Sequence, residues 1–387
     1  MLLYVDISEF LKTRLTTGIQ RVIREFLQRA MFGYCKLNII YFNTDIKKYQ
    51  LLDYGEISEF LKDIKNYQFT VKKDIDLLLD INSQKNKIFF DIDSVWNAEI
   101  KREDLYKKLK QNNFKIFNFI YDLTPVLLPD LARETTKTNF PSFILSVFEY
   151  SDFVFFDSIS AQSDFFALKQ LKNFTREISS KVIHLGSDFL ICKSQNNNQH
   201  SQLLSQKYIL FVGTIEPRKS QSLVLEAFEE LHAKYLDLHL VLIGSIGWKV
   251  EDFVQHLKLH SLKDKFIHHL TRIDDETLSL FYQNAFLVTY ISQYEGYGLP
   301  IAESLQHANI TIASNNSSMI EVGKNYADYI PENTKVHLVD VISLYLDNQS
   351  LYNQKKQYIK KHYKPHNWDD FYNAIMEVLN HHCSFKI

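Results

Sequence analysis

Short apolar runs alternate with amphipathic stretches throughout the first half of the chain. The runs are rich in β-branched and aromatic side chains, and they predict strands at 2–7, 37–42, 75–81, 87–92, 114–122, 153–158 and 181–185. Segment 17–30 places Ile19, Val22, Ile23 and Phe26 on one helical face. Strands that alternate with helices indicate a parallel α/β sheet.

The same alternation begins again after a polar segment. Residues 191–206 are rich in Asn, Gln and Ser and have no apolar periodicity, so they are predicted to be a linker. The runs that follow predict strands at 208–213, 238–244, 266–270, 286–291 and 309–314. Helices are expected near 222–235 and 249–258, with others from the N-capping pair Asp274–Asp275 and from Ser318, where Ser318-x-x-Glu321 fits a capping box.

A length of 387 residues suits two domains. We expect an N-terminal domain over 1–190, the linker over 191–206 and a C-terminal domain over 207–364. Segment 365–387 contains an amphipathic helix after Pro365 that could pack on either domain, including back onto the N-terminal one.

Composition excludes several classes of protein. The formal net charge of −2 gives no support to nucleic-acid binding. The three cysteines, Cys35, Cys192 and Cys383, are far apart and form no CxxC pair, which excludes a disulfide framework and fits a reducing compartment. The first residues do not resemble a signal peptide, and no long uncharged apolar run occurs, so a cytoplasmic protein is expected.

The segment YEGYGLPIAES (294–304) combines two carboxylates with a turn. A predicted strand ends before it, Gly296 and Gly298 permit close backbone approach, and Pro300 suits the first turn of a helix. Ligands of open parallel sheets bind beyond the carboxyl ends of the strands, at helix N-termini. Glu295 and Glu303 can therefore point into one cleft, although a capping glutamate in an ordinary loop is the plain alternative.

A second segment, FVGTIEPRKS (211–220), follows another buried strand. Gly213 begins a tight turn, and Arg218 and Lys219 stand at the start of a helix. Two cations beside helix amides suit a diphosphate, whereas a solvated basic loop is the alternative.

These segments resemble the retaining glycosyltransferases of family 4, which have the GT-B fold. EGYGLPIAE (295–303) matches the E-x7-E signature of that family, and VGTIEPRK (212–219) matches its phosphate-binding turn. TGIQRVIREF (17–26) and IYDLTPVLLPDL (120–131) are also similar. The resemblance is strongest to the branch that builds bacterial surface polysaccharides, which includes many mannosyl- and rhamnosyltransferases. It implies two Rossmann-like, doubly wound parallel-sheet domains that face a central cleft.

The resemblance also implies roles for individual residues of the donor site. Glu303 would bind the ribose hydroxyls, Glu295 the transferred sugar, and Lys219 the diphosphate charge. The remaining donor-site residues would be Gly18 in the N-terminal loop and Gly213, Thr214, Arg218, Gly296, Tyr297, Gly298 and Leu299.

Two positions depart from the family pattern. Thr214 stands where many members have arginine, so Arg218 is expected to replace that arginine. Tyr121 stands where many have histidine, which leaves Asp122 as the candidate polar group beside the reacting carbon. Asp93, Trp96 and Asp122 are candidates for the acceptor groove, with a merely packing Trp96 an equal alternative.

The expected activity is hexosyl transfer with retention from a nucleotide diphosphate sugar, GDP-mannose favoured, to a growing and lipid-linked glycan. No cofactor or metal is expected, because Arg218, Lys219 and helix amides would supply the positive charge. The basic segment 101–115 could touch anionic lipid at the inner face of the membrane, although a solvated face is the more common role of such a segment. A sugar-nucleotide epimerase and a catalytically silent glycan-binding subunit are the alternatives.

Overall fold

The computed structural model describes residues 2–15, 17–33, 36–70, 72–75, 87–188 and 200–384. The chain divides into two compact units. Unit 1 comprises residues 1–185 with 368–387, and unit 2 comprises residues 186–367. In the described residues, no helix combines the length and the apolar character that crossing a bilayer requires.

Unit 1 is built on an eight-stranded sheet in the order β4-β3-β2-β1-β5-β6-β7-β8. Its strands are β1 (Leu2–Asp6), β2 (Lys36–Asn43), β3 (Lys48–Leu52), β4 (Lys72–Ile75), β5 (Lys87–Asp91), β6 (Phe114–Ile120), β7 (Phe153–Phe156) and β8 (Ser179–Val182). Its first seven helices are α1 (Ser8–Thr13), α2 (Gly18–Ala30), α3 (Tyr54–Lys62), α4 (Arg102–Gln111), α5 (Thr124–Leu127), α6 (Glu134–Tyr150) and α7 (Ile159–Leu171).

Unit 2 contains a six-stranded, fully parallel sheet in the order β11-β10-β9-β12-β13-β14. Its strands are β9 (Lys207–Val212), β10 (Leu238–Ile243), β11 (Ile267–Leu270), β12 (Leu287–Tyr290), β13 (Thr311–Ser314) and β14 (Asp328–Ile330). Its helices are α8 (Ser201–Leu204), α9 (Gln221–Lys234), α10 (Glu251–Leu259), α11 (Asp275–Asn284), α12 (Leu299–Gln306), α13 (Ser317–Gly323), α14 (Lys335–Asp347) and α15 (Gln349–His362). The chain adds β10 and β11 on one side of β9 and then places β12, β13 and β14 on the other side. The carboxyl ends of β9 and β12 therefore form the topological switch point of the sheet.

Most predicted elements lie where the apolar pattern put them. Helix α2 begins one residue after the predicted start, and Asp274 caps α11 by accepting a hydrogen bond from the amide of Thr277 at 2.7 Å. The predicted strand 75–81 and the linker segment 191–199 fall largely outside the described residues, and 201–204 form α8.

Two features differ from the prediction. Strands β3 and β4 pair antiparallel at one edge of the unit 1 sheet, because the short turn after β2 returns the chain directly beside it. The capping box from Ser318 is wrong. Helix α13 begins at Ser317, so Ser318 lies inside it and its hydroxyl is committed to other carbonyls.

The last helix of the chain, α16 (Trp368–Ser384), packs in unit 1. Phe371 contacts Phe119 of β6 with ring centroids 5.8 Å apart, and Tyr372 contacts Phe26 of α2 at the same separation. Asp369 accepts a hydrogen bond from Arg29 at 2.6 Å. Unit 1 is therefore completed by a segment that follows unit 2 in the sequence.

Candidate active site

Both motifs singled out in the sequence lie at the switch point of the unit 2 sheet. The loop 213–220 follows β9, and the loop 291–298 follows β12. These strands are parallel neighbours, with Leu287 beside Ile209 and Val288 beside Leu210. Because their carboxyl ends meet at one edge of the sheet, segments 75 to 80 residues apart in sequence come into contact, as the ion pairs below show.

Close backbone contact shapes the first loop. A Cβ on Gly244, at the end of β10, would lie 2.0 Å from the carbonyl oxygen of Gly213. A Cβ on Gly247 would lie 2.6 Å from the carbonyl oxygen of Ile215. The turn after β9 therefore needs glycine at both positions of the neighbouring loop, and a 3-10 turn, Pro217–Lys219, leads from it into α9.

Hydroxyl groups of α13 hold the second loop. Ser318 donates to the carbonyl oxygens of Glu295 and Tyr297 at 2.9 and 2.8 Å, and the hydroxyl of Ser317 accepts from the amide of Glu295 at 3.0 Å. Gly298 has φ +100°, a conformation that favours glycine, and caps the start of α12. The backbone on both sides of Glu295 is thus fixed before α12 begins.

The carboxylate of Glu295 lies between the two predicted cations. One oxygen is 2.7 Å from Nη1 of Arg218, and the other is 2.9 Å from Nζ of Lys219. Glu295 is 6% exposed. Burial works to raise the pKa of Glu295, but the attraction of Arg218 and Lys219 outweighs it and lowers that pKa to about 2.

The two cations also contact residues other than Glu295. We call the whole set the switch-point cluster: Glu216, Arg218, Lys219, Tyr290 and Glu295. Arg218 also donates to Glu216 at 2.6 Å and to the carbonyl oxygen of Tyr294 at 2.5 Å. Lys219 also donates to the hydroxyl of the fully buried Tyr290 at 2.6 Å. Sequence reasoning missed Glu216 and Tyr290. The acidic residue two positions before Arg218 was a signal for the first, whereas Tyr290 looked like an ordinary core residue.

The second glutamate of the motif has different surroundings. Glu303 lies in α12, is 3% exposed, and accepts a hydrogen bond from the hydroxyl of Tyr282 at 2.8 Å. His307, one turn further along, stacks on the Tyr282 ring with centroids 5.4 Å apart. Tyr282 belongs to α11, so Glu303 is oriented by the helix that precedes β12.

The remaining donor-site candidates divide between the units. Thr214, Gly296, Tyr297 and Leu299 lie in the two switch-point loops or at the start of α12, and the carbonyl oxygen of Thr214 accepts from Gln221 at 2.8 Å. Gly18 is the first residue of α2, in unit 1.

The three acceptor candidates lie in unit 1, and each of them contacts other residues of that unit. Asp93 is 2% exposed and accepts from the amide of Phe10 at 2.7 Å. Burial raises its pKa to about 7. Trp96 packs on Phe140 with ring centroids 5.2 Å apart, and Asp122 accepts from the amide of Thr124 at 2.8 Å at the start of α5.

The basic segment 101–115 is not uniformly solvated. Arg102 is buried and pairs with Asp6 at 2.7 Å and with Asp91 at 2.8 Å. Its guanidinium lies between two carboxylates that end the neighbouring strands β1 and β5. Its guanidinium therefore belongs to the interior of unit 1, whereas Lys107 and Lys108 are exposed.

One group of side chains in the described part of the chain has the spacing of a metal site: Glu229, His256 and His260, on α9 and at the end of α10. The amide of Leu262 donates to Nδ1 of His260 at 3.1 Å. The neutral ring then carries its proton on Nε2, which lies 2.7 Å from Glu229. The atom that a cation would need is therefore already engaged in a hydrogen bond.

Comparison with known proteins identifies sequences and folds that are similar to this chain. Residues 193–364 match the family model of the glycosyl transferases group 1. The chain is 27% identical over 344 residues to the serotype-specific mannosyltransferase WbdA of Escherichia coli, with 84% of this chain covered. It is 35% identical over 125 residues to the O-antigen chain mannosyltransferase B of Escherichia coli, which covers 32% of each chain. The chain spans only 39% of the length of WbdA.

A solved structure, Anabaena HepE in complex with UDP-glucose, has the same fold with a TM-score of 0.69 at 13% identity and covers 98% of this chain and 99% of that one. The structural likeness shows the GT-B fold, and residues 193–364 match a glycosyl transferases group 1 domain. The chain is similar in sequence to two mannosyltransferases of Escherichia coli, so the predicted resemblance is confirmed at the level of a group 1 glycosyltransferase domain.

Proposed function

We propose that this chain transfers mannose, with retention, from GDP-mannose to a growing surface glycan that is attached to a lipid. The observation that carries the proposal is the buried switch-point cluster, because two cations and a carboxylate meet where ligands of parallel sheets bind. The similarity to mannosyltransferases supports the choice of sugar.

The donor would lie across the two switch-point loops. Lys219 and Arg218 would face the diphosphate, Glu295 the hydroxyl groups of the sugar, and Glu303 the hydroxyl groups of the ribose. Glu303 suits this role because the Tyr282 hydroxyl holds one of its oxygens in a fixed direction. The amides at the start of α12 add positive potential without a formal charge.

Transfer would proceed on one face of the sugar. The acceptor oxygen forms a bond to the anomeric carbon as the bond from that carbon to the diphosphate oxygen breaks, and the acceptor proton moves to the departing phosphate. The protein would contribute position and charge stabilisation rather than a strong base, which fits a Glu295 carboxylate that its cations keep ionised.

The acceptor would be held by unit 1, with Asp122 as the candidate polar group. Asp93 and Trp96 are less suited to direct contact with a sugar, because Asp93 is buried and Trp96 packs on Phe140. The exposed lysines of α4 would favour an anionic membrane surface.

The test is transfer of labelled sugar from GDP-mannose, with UDP- and dTDP-sugars in parallel, to a lipid-linked mannosyl acceptor. We expect a mannosylated product with the anomeric configuration of the donor, as read by NMR. A product of inverted configuration would contradict retention. Conversion of the donor sugar without transfer would indicate an epimerase, and no turnover of any donor would indicate a binding subunit.

Metal independence is tested in the same assay. We expect transfer to persist in excess EDTA, because Arg218, Lys219 and helix amides would neutralise the departing diphosphate. Activity that disappears with EDTA and returns with Mg²⁺ or Mn²⁺ would contradict this expectation.

A further inference from the structure

We infer that Glu216 is a built-in counter-charge of the diphosphate site, which weakens nucleoside diphosphate binding and holds Arg218 against Glu295. This inference rests on the proposed donor site. Glu216 is 4% exposed, and its carboxylate lies 2.6 Å from Nη2 of Arg218.

The charges of the switch-point cluster balance. Arg218 and Lys219 contribute two positive charges, and Glu216 and Glu295 contribute two negative ones. A nucleoside diphosphate that enters this site therefore meets a cluster that is neutral rather than cationic. Because the side chains are buried, each of these charges acts on a bound diphosphate more strongly than it would in water.

Glu216 is placed for this role by the local chain. It precedes Pro217, which favours an extended backbone at Glu216, and its φ of −151° and ψ of 156° agree. From there the side chain reaches the guanidinium edge that does not face Glu295. Arg218 is thus held by two carboxylates from opposite loops and by the Tyr294 carbonyl oxygen.

The counter-charge has a consequence for turnover. The nucleoside diphosphate product keeps the diphosphate after the sugar has left, so a site with a net positive charge, as the cluster would have without Glu216, would retain it. With Glu216 present, the site attracts the diphosphate of the product less strongly. Contacts with the sugar, which only the donor makes, then favour binding of the donor over the product.

The experiment measures affinity for GDP by calorimetry, with UDP and dTDP in parallel, for the full chain and Glu216→Gln. We expect Glu216→Gln to bind GDP roughly tenfold more tightly, with a steeper loss of affinity on addition of salt. Guanosine, which has no phosphate, should bind both proteins equally. Product inhibition of transfer by GDP should increase by a similar factor.

Two variants serve as controls. Glu216→Asp keeps the charge and should bind GDP like the wild-type chain, and Glu226→Gln removes a charge from the exposed face of α9 and should change nothing. If Glu216→Gln does not fold, Glu216→Ala removes the same charge.

A purely structural Glu216 would make GDP affinity fall or stay unchanged on neutralisation, and either result would overturn the inference. Failure of the proposed function looks different. In that case the wild-type chain would bind none of the three nucleoside diphosphates, and the inference would fall with it.

Discussion

Glu295 and Glu303 are eight positions apart in one motif, but the structure gives their carboxylates different partners. Glu295 pairs with two cations, and Glu303 accepts from a tyrosine hydroxyl. We expect Glu303→Gln to weaken GDP binding by about 1.5–3 kcal/mol, because one ribose contact is lost. Glu295→Gln should not weaken GDP binding, since it removes a negative charge, but it should reduce transfer steeply.

Calorimetry with GDP and the transfer assay test both variants, and thermal unfolding checks that each is folded. Ser222→Ala, on the exposed face of α9, is a neutral control. Loss of GDP affinity in Glu295→Gln with retention in Glu303→Gln would mean that the two roles are reversed.

The ionisation of Glu295 predicts a pH dependence of stability. Its pKa of about 2 in the folded chain lies below the usual glutamate value, so the folded state binds fewer protons than the unfolded state between those values. The stabilisation is fully present above about pH 4.5 and is lost as pH falls toward 2. The difference in free energy of unfolding between wild type and Glu295→Gln should therefore shrink by on the order of 2 kcal/mol as pH falls from 6 to 3.

Urea unfolding at a series of pH values measures that difference. Glu226→Gln, at an exposed position of α9, serves as a second carboxylate variant. A difference that stays constant down to pH 3 would show that Arg218 and Lys219 do not hold Glu295 ionised.

Residue types in the site could be predicted from the sequence, but their partners could not. The charges of Arg218, Lys219 and Glu295 indicated an anion and sugar site. That Arg218 would contact Glu295 and the Tyr294 carbonyl oxygen follows from the approach of two loops more than 70 positions apart, which no local pattern records.

At the scale of elements, hydroxyl groups of α13 stabilise the loop 291–298, which contains Glu295. Ser318→Ala removes the single hydroxyl donor that the carbonyl oxygens of Glu295 and Tyr297 share, so we expect a loss of about 1–3 kcal/mol in the free energy of unfolding. Transfer should fall because Glu295 loses its fixed backbone. Denaturant unfolding and initial transfer rates measure the two effects, with Ser222→Ala as the exposed serine control. Unchanged transfer in Ser318→Ala would show that the loop keeps its position without α13.

The positions of strands and helices followed from apolar periodicity because buried parallel strands read as continuous apolar runs. The role of Ser318 did not, because a serine three positions before a glutamate looks the same in a capping box and inside a helix. The antiparallel strand β3 was missed for a related reason. Its half-polar sequence, KYQLL, resembles an exposed loop as much as an edge strand.

At the scale of the whole molecule, α16 completes the core of unit 1. Phe371, Ile375 and Leu379 are buried there, together with Trp368. A chain that ends at Asn367 should therefore expose apolar surface of unit 1 while leaving the contacts within unit 2 intact. We expect limited proteolysis to digest segments 1–185 much faster and residues 207–362 at an unchanged rate.

A chain that ends at Ser384 is the matched control, since it keeps α16. Faster digestion of unit 2 than of unit 1 in the shorter chain would contradict this account of α16. The sequence predicted the helix from its amphipathic pattern, but that pattern left its docking partner open, because an apolar face records burial and not the surface that buries it.

Unit 1 consists of two segments that are separated by unit 2 in the sequence, and this affects how the protein folds during translation. Unit 2 is one continuous segment and can fold as soon as it is translated, whereas the side chains of unit 1 that pack on α16 are covered only after all of unit 2 has been translated. Throughout that interval, Phe26 and Phe119 lack the aromatic partners that α16 later supplies. Nascent chains paused before residue 368 are thus the species on which a chaperone would find an apolar surface, and the pace of translation through unit 2 sets how long that surface stays open.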